Sequence, residues 1–245
     1  MIICVDLDKT LLKNDLSISD FTLNTLKKCK QLGHILIINT ARNLERTIKI
    51  TKLINADYTI CNAGTQIYDK NLNEIYSKPV DKEVISKVIS NIINYCEILT
   101  VQTKDLMYTN VNKDSYNRKL FKDNDDYMYE SYKLLCYNLT KDFSSFLESY
   151  NLEYIRYEDG LWGRISSKNI NKFTGLMYIL NLNKFNIEDV IYFGDDIGDI
   201  PCLENCINSV AMGNALTNVK KYARFVCETN ENDGVAQFLN KYFNL

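Results

Sequence analysis

The chain has 245 residues, of which 46% are hydrophobic, so it can form one large or two modest domains and is too apolar for wholesale disorder. Its formal net charge is −2 and its lysines and arginines are scattered, which argues against nucleic acid or an anionic membrane as the main partner. A single histidine, His34, and eight dispersed cysteines give no basis for Ser-His-Asp chemistry or a zinc site, so any reaction must rest on carboxylates, lysine and threonine.

Short apolar runs alternate with longer helical patterns in the first third of the chain. The pattern predicts buried strands at 2–5, 35–38 and 58–61, with helices at 19–32 and 44–53 between them. Ser17 or Ser19 is the expected cap of the first helix, and Gly33 is expected to end it. Continuous apolar strands separated by helices indicate a parallel sheet that is covered on both faces.

The pattern changes near Lys78 and Pro79. A helix at 81–95, paired strands at 98–103 and 106–111, a strand at 133–137 and a helix near 141–150 are predicted next. Asp159 and Gly160 form a two-residue hairpin signal between strands at 153–157 and 161–165. The stretch at 113–126 is polar and shows no clear pattern. We therefore expect a separate α+β module at 80–166, inserted into a domain made of 1–79 and 167–245.

The strand and helix rhythm resumes after residue 167. A helix at 171–180 and a buried strand at 190–193 are followed by a helix that begins at 199–203. Segments at 209–212, 219–223, 225–227 and 235–242 complete the alternation. The predicted fold class is α/β, with a Rossmann-like parallel sheet as its core and an inserted α+β domain. No apolar run approaches the ~20 residues that span a bilayer and no leader pattern opens the chain, so a cytoplasmic location is expected.

Polar residues follow three of the predicted buried strands. They are Asp6 and Asp8, Thr40 and Arg42, and Asp195 and Asp199. In open parallel sheets, ligands bind beyond the carboxyl ends of the strands. Carboxylates gathered at one point repel each other unless a cation lies among them, and Mg²⁺ accepts a few carboxylates together with phosphate oxygens. The sequence therefore predicts a magnesium site at this edge of the sheet.

Several motifs resemble one known family. Residues 6–12 (D-L-D-K-T-L-L) look like the D-x-D-x-T-L-L signature of the haloacid dehalogenase superfamily. Thr40 with Arg42 is similar to its T-G-R segment, Lys172 to its lysine at the start of a helix, and residues 194–199 to its G-D-x-x-N-D motif. Segments at 61–64, 211–215 and 232–236 look like the Cof-type subfamily. That subfamily carries a C2-type cap where the composition changes here; the cap is matched by position and size.

The resemblance implies a phosphatase that forms an aspartyl-phosphate intermediate. Asp6 is the expected nucleophile. Mg²⁺ is expected on Asp6, Asp195, Asp199 and the backbone carbonyl of Asp8. The Asp8 carboxyl group would protonate the leaving group and later deprotonate the attacking water. That role requires Asp8 to be protonated part of the time, which we expect from a pocket rich in carboxylates.

The resemblance also implies groups that hold the phosphate. Thr40 and Lys172 are expected to bind the phosphoryl oxygens. Lys172 is preferred over Lys168 because it begins an apolar helical pattern. Four further residues are expected to bind the substrate or its phosphate group: Thr10, Arg42, Asn62 and Asn214. Thr10 would also support the geometry of the loop after the first strand.

Two positions depart from the family pattern. Gly198 stands where asparagine is usual, which would weaken Mg²⁺ binding, and Ala41 replaces a glycine, which restricts the backbone. In the cap, Trp162 is interpreted as packing and Arg164 as part of a solvated face.

The expected substrates are small phosphate monoesters, with sugar phosphates as the leading class, and the chain is expected to be a monomer or a weak homo-oligomer. Two alternatives stay open. The first is a phosphotransferase or phosphomutase on the same core. The second is a non-catalytic regulator that binds phosphosugars.

Overall fold

The computed structural model describes residues 1–104, 106–111, 118–120, 129–157 and 160–245. The chain divides into two compact units. The first unit consists of Met1–Ser77 and Asn171–Leu245, and the second is Lys78–Ile170. Asp159 of the expected hairpin turn, and most of the polar stretch at 113–126, lie outside the described residues.

The first segment alternates strands and helices and then adds a strand pair. Its elements are β1 (Ile2–Val5), α1 (Asp20–Gln31), β2 (Ile35–Asn39), α2 (Ile48–Leu53), β3 (Tyr58–Cys61), β4 (Gln66–Asp69) and β5 (Glu74–Ser77). The Ser19 side chain accepts a hydrogen bond from the Thr22 backbone N–H and caps α1. Helix α2 is shorter than the predicted span, because the Asn43 side chain accepts from the Arg46 N–H and holds a turn before it.

The middle segment is α+β, as the sequence indicates. Its elements are α3 (Lys82–Ile92), β6 (Ile98–Gln102), β7 (Met107–Thr109), β8 (Arg118–Leu120), β9 (Lys133–Tyr137), α4 (Ser144–Glu148), β10 (Leu152–Arg156) and β11 (Trp162–Ser167). The strands form one sheet in the order β10-β11-β9-β6-β7-β8. The predicted helix near 141–150 is confined to α4, because the Asp142 carboxylate accepts from the Ser144 N–H and starts the helix there.

The last segment returns to the first unit. Its elements are α5 (Lys172–Asn183), β12 (Val190–Gly194), α6 (Ile200–Asn205), β13 (Asn208–Ala211), α7 (Thr217–Lys220), β14 (Phe225–Val226) and α8 (Gly234–Phe243). The first unit's sheet has the order β14-β13-β12-β1-β2-β3-β4-β5. All its pairs from β14 to β3 are parallel, which confirms the predicted α/β class. The antiparallel pairs β3–β4 and β4–β5 extend the sheet beyond the prediction.

Each unit has its own hydrophobic core. In the first unit every residue of β1 and β12 is buried, and these strands lie side by side in the middle of the sheet. In the second unit, the buried face of α3 packs with one face of the sheet through Ile85, Val88, Ile89 and Ile92. Within the described part of the chain, no helix is both long enough and apolar enough to cross a membrane.

Candidate active site

The end of β1 places Asp6 at the carboxyl edge of the parallel sheet. Asp6 is buried, and its backbone N–H donates to the carbonyl of Phe193 on the neighbouring strand β12. The chain then turns tightly, since the N–H of Leu11 donates to the Asp6 carbonyl and Lys9 adopts a positive φ of 57°. The buried strand thus fixes Asp6, and in the turn that follows only Asp8 and Lys9 are exposed, whereas Leu7, Thr10 and Leu11 are buried.

Three carboxylates converge on this edge. Asp6, Asp195 and Asp199 are buried, and one carboxylate oxygen from each lies within 4.8 Å of the others. The Lys172 ammonium group, at the first position of α5, lies 2.8 Å from Asp6 and 2.7 Å from Asp199. Three carboxylates against one ammonium leave the cluster short of positive charge, and an all-oxygen donor set of this kind fits a hard divalent cation such as Mg²⁺.

The pKa values of the groups in this cluster are shifted by burial and by the neighbouring charges. Burial raises the pKa of Asp6 well above its ordinary value, and Lys172 offsets only part of this. Burial and the neighbouring Asp199 raise the pKa of Asp195 to about 7. Burial acts to lower the pKa of Lys172, but Asp199 and Asp6 outweigh it and the pKa is raised. A cation bound among these carboxylates would act in the opposite direction and lower the same pKa values.

Asp199 holds the cluster together through hydrogen bonds to four groups. One of its oxygens accepts from the Lys172 ammonium group and from the Tyr192 hydroxyl group, which is 2.6 Å away. The other oxygen accepts from the backbone N–H groups of Asp195 and Asp196 at 3.1 Å. Both oxygens are therefore occupied, so Asp199 positions Lys172 and the Asp195 loop. Tyr192 was missed in the sequence because it lies inside an apolar strand run, where a tyrosine reads as packing.

Two glycines, one at the end of β12 and one in the loop that follows, have different surroundings. A Cβ added to Gly194 would lie 2.5 Å from the Asp199 side chain, so glycine is needed for Asp199 to approach the backbone. A Cβ added to Gly198 would meet nothing within 4 Å. The family's asparagine would therefore fit at Gly198 without a steric clash.

Asp8 lies apart from the carboxylate cluster and pairs with Arg42. The Nε of Arg42 donates to one Asp8 oxygen at 2.8 Å, and its Nη2 donates to the other. The Arg42 side chain is only 8% exposed, whereas that of Asp8 is 51% exposed. Burial acts to raise the pKa of Asp8, but Arg42 outweighs it and the pKa falls below its ordinary value. The expectation that neighbouring carboxylates keep Asp8 partly protonated is therefore wrong.

Thr40 and Asn62 belong to one connected loop pair at the ends of β2 and β3. The Thr40 hydroxyl accepts from the Arg42 N–H at 3.2 Å, and the Thr40 carbonyl accepts from Ala63. The Asn62 N–H donates to the Arg42 carbonyl, and its side-chain amide donates to Gln66. These contacts hold the backbone around Arg42 in place; the phosphate-binding roles of Thr40 and Asn62 stay predictions.

Thr10 and Asn214 make support contacts. The buried Thr10 hydroxyl donates to the Asp195 carboxylate at 2.6 Å, so it orients that carboxylate. Asn214 is exposed; its amide donates to the Lys9 carbonyl and its oxygen accepts from the Asn230 N–H. Asn214 thus links the loop after β1 to Asn230, and the phosphate-binding roles of Thr10 and Asn214 stay predictions.

The two candidate lysines lie in different units. Lys172 belongs to the first unit and sits in the carboxylate cluster. Lys168 belongs to the second unit, where its partly exposed ammonium group pairs with Glu148. Of the two, only Lys172 contacts the nucleophile candidate, in agreement with the preference from the sequence.

Comparison with known proteins gives the family. Residues 3–239 match the family model of haloacid dehalogenase-like hydrolases. A 5-amino-6-(5-phospho-D-ribitylamino)uracil phosphatase of Bacillus subtilis is 27% identical, over 100% of this chain and 98% of the relative. A phosphoglycolate phosphatase of Methanobrevibacter smithii is 23% identical, over 98% of this chain and 97% of the relative.

A solved structure shares the fold. It is a sugar phosphatase of subclass IIB of the same superfamily, with a TM-score of 0.80, 19% identity and coverage of 99% of this chain and 98% of that one. The strand-end carboxylates, the lysine between them and the match along nearly the whole sequence agree. The chain belongs to the haloacid dehalogenase-like hydrolases and is a phosphatase of that family.

Proposed function

We propose that this phosphatase hydrolyses small phosphate monoesters of sugars and sugar-like polyols, with Mg²⁺, through a phosphoryl group carried on Asp6. The observation that carries the proposal is the position of the Asp6 carboxylate. It is buried at a parallel strand end, 2.8 Å from the Lys172 ammonium group and within 4.8 Å of an Asp195 oxygen. A carboxylate held in this way is already positioned and largely desolvated, so it can attack a phosphorus atom directly.

The reaction has two steps. An Asp6 oxygen forms a bond to phosphorus while the bond to the leaving alcohol breaks, and the Asp8 carboxyl group gives that alcohol its proton. Water then attacks the phosphorus atom and gives its proton to Asp8, the bond between the Asp6 oxygen and phosphorus breaks, and inorganic phosphate leaves with the Asp6 carboxylate restored. In both steps the ammonium group of Lys172 stabilises the negative charge on the phosphoryl oxygens.

The metal site would be formed by Asp6, Asp195 and the backbone carbonyl of Asp8, with Asp199 behind them. A bound Mg²⁺ supplies charge neutralisation for the phosphoryl oxygens. The residues fit this ion because the buried donor set is made of oxygens and carries excess negative charge.

Arg42 sets the protonation of Asp8. Its two-point contact holds Asp8 ionised before substrate arrives. A phosphate ester offers the same guanidinium group a competing pair of oxygens. Once Arg42 turns to the substrate, Asp8 loses the contact that lowered its pKa and can take the proton that the first step needs.

The names of two relatives support the proposed substrate class. One curated relative is named for a phosphorylated ribityl compound, and the related solved structure is titled a sugar phosphatase. The phosphoglycolate phosphatase shows that smaller esters also occur among similar chains. We assign the second unit, Lys78–Ile170, to substrate selection as the cap of the enzyme.

The test is a screen of phosphorylated sugars, polyols and small acids, with Mg²⁺ and with chelator. Asp6→Asn should lower kcat by at least roughly 10³-fold on any ester that is hydrolysed, because the nucleophile is lost. The matched control is Asp20→Asn, at an exposed position on α1, which should keep full activity. Full metal-dependent turnover by Asp6→Asn would refute the nucleophile, and no turnover with any ester or metal would favour a binding protein.

A further inference from the structure

Arg164 lies buried in the second unit. Its side chain belongs to β11 and the residue is only 6% exposed. In the part of the chain that the structure describes, its Nε has no hydrogen-bond partner. A buried cation is costly unless an anion or acceptor compensates it. The interpretation of Arg164 as part of a solvated face is therefore wrong.

Two further unpartnered groups lie on the same face of this sheet. Register aligns Arg164 with Leu135 on β9, and Leu135 with Thr100 on β6, and aligned residues share a face. Ser166 lies two residues after Arg164 on β11, so it shares that face too. Thr100 and Ser166 are 1% and 3% exposed, and among the described residues their hydroxyl groups have no hydrogen-bond partner.

The composition of this face points to an anionic ligand. A second buried cation, Lys133, stands on the same face, two residues before Leu135 and opposite Gln102. The carboxylate of Glu153, which is aligned with Ser166 on the edge strand β10, acts electrostatically on Lys168. The opposite face of the sheet is apolar and packs on α3. The polar face thus gathers positive charge and hydroxyl donors in a desolvated setting.

We propose that this polar face is a binding site for a small oxyanion, a carboxylate or a phosphate group. The Arg164 guanidinium group has the planar fork that matches the two oxygens of such a group. Thr100 lies two strands away, about 10 Å across the sheet, so the ligand carries acceptors beyond the oxyanion itself for the hydroxyl groups. Binding satisfies three buried groups at once.

The chain contains its own reporter for this site. Trp162 is the only tryptophan in the sequence and lies on β11, two residues before Arg164 and therefore on the same face. Its emission can be followed while metal-free protein is titrated with inorganic phosphate or with malonate. We expect a saturable change in emission with at least one of these probes.

Arg164→Met should raise the Kd of that probe at least about tenfold, because a charge-assisted contact is lost. The matched control is Arg156→Met, which removes an exposed arginine from β10 that is aligned with Gly163 and so belongs to the opposite face; it should leave the Kd within about twofold. The variant Ser166→Ala keeps the charge of Arg164 and should raise the Kd by a smaller factor. The proposal is overturned if neither probe gives a saturable change, or if Arg164→Met binds as tightly as the unaltered protein.

Steady-state kinetics then show whether the bound anion is part of the substrate or a separate ligand. Only this kinetic experiment rests on the proposed function. If the anion belongs to the substrate, Arg164→Met raises KM for esters with a second acidic group and leaves KM unchanged for neutral sugar phosphates. If the anion is a free ligand, Arg164→Met loses probe binding with KM unchanged for both classes. The fluorescence titration needs no turnover, so its outcome stands even if Asp6 is not the nucleophile.

Discussion

The two sheets of this enzyme treat buried charge in opposite ways. At the edge of the first sheet, Lys172 is held by two carboxylates, and Asp199 has both oxygens engaged. On the polar face of the second sheet, the Arg164 Nε has no partner within the described residues. A buried cation that is paired, such as Lys172, keeps its place without a ligand, whereas an unpaired one gains most when an anionic ligand arrives. We infer that the first sheet is prepared for chemistry and the second for recognition.

The largest test of this contrast is Lys172→Met. The change leaves the carboxylates of Asp6 and Asp199 buried beside each other without their ammonium partner. Breaking a buried ion pair from one side typically costs about 3–5 kcal/mol, and we expect a loss of that size in the free energy of unfolding. Urea denaturation of the metal-free protein at pH 7–8 measures it.

The control for that experiment is Lys168→Met. Lys168 also pairs with a carboxylate, that of Glu148, but both side chains are partly exposed. Exposed pairs contribute only about 0–1 kcal/mol. A similar loss of stability in the two variants would show that burial of the pair at Lys172 has no special weight.

The second test uses the raised pKa of Asp195. Its pKa of about 7 exceeds the ordinary 3.8, so between these values the folded, metal-free protein binds a proton that the unfolded chain does not. This contribution to stability is therefore complete below about pH 4 and is lost as the pH rises through 7. Mg²⁺ must displace that proton, so its apparent affinity should rise by up to about tenfold per pH unit and level off above 7.

Thermal melting with and without Mg²⁺ across pH 5–9 checks this. The Thr10 hydroxyl lowers the Asp195 pKa, so Thr10→Val should move the plateau to higher pH. A plateau that stays in place would mean that another carboxylate controls metal binding.

The parallel core and the positions of the carboxylates could be predicted from the sequence because both have local signals. Continuous apolar strands followed at once by Asp6 or Asp195 are visible without a structure. The Arg42–Asp8 pair was not predictable, because it joins residues from two strand ends at a distance that only the folded backbone decides. The role of Tyr192 was missed and that of Arg164 misjudged for a related reason. Strand position gives the face of a side chain, but not which residues lie opposite it.

Tyr192→Phe tests the support beneath the first cluster at a smaller scale. It removes the hydroxyl group that donates to Asp199 and leaves the ring in a fully buried strand. The loss of a hydrogen bond to a charged group costs about 1.5–3 kcal/mol, which we expect in the free energy of unfolding, with a small fall in kcat through Lys172. An unchanged stability would show that Lys172 and the backbone N–H groups satisfy Asp199 by themselves.

The smallest effect should have the opposite sign. Thr100→Val replaces a buried hydroxyl group in the second sheet, which has no hydrogen-bond partner among the residues that the structure describes, by a methyl group of nearly the same size. Since no hydrogen bond is lost and a desolvated polar group is removed, the free energy of unfolding should stay equal or rise by up to about 1 kcal/mol in buffer without phosphate or carboxylate. The matched change in the first sheet is Thr59→Val, whose equally buried hydroxyl group lies 3.1 Å from that of Thr51; it should lose about 1–3 kcal/mol. If both variants lost the same free energy of unfolding, the Thr100 hydroxyl group would already have a hydrogen-bond partner. The two sheets would then differ only in how their buried charges are paired.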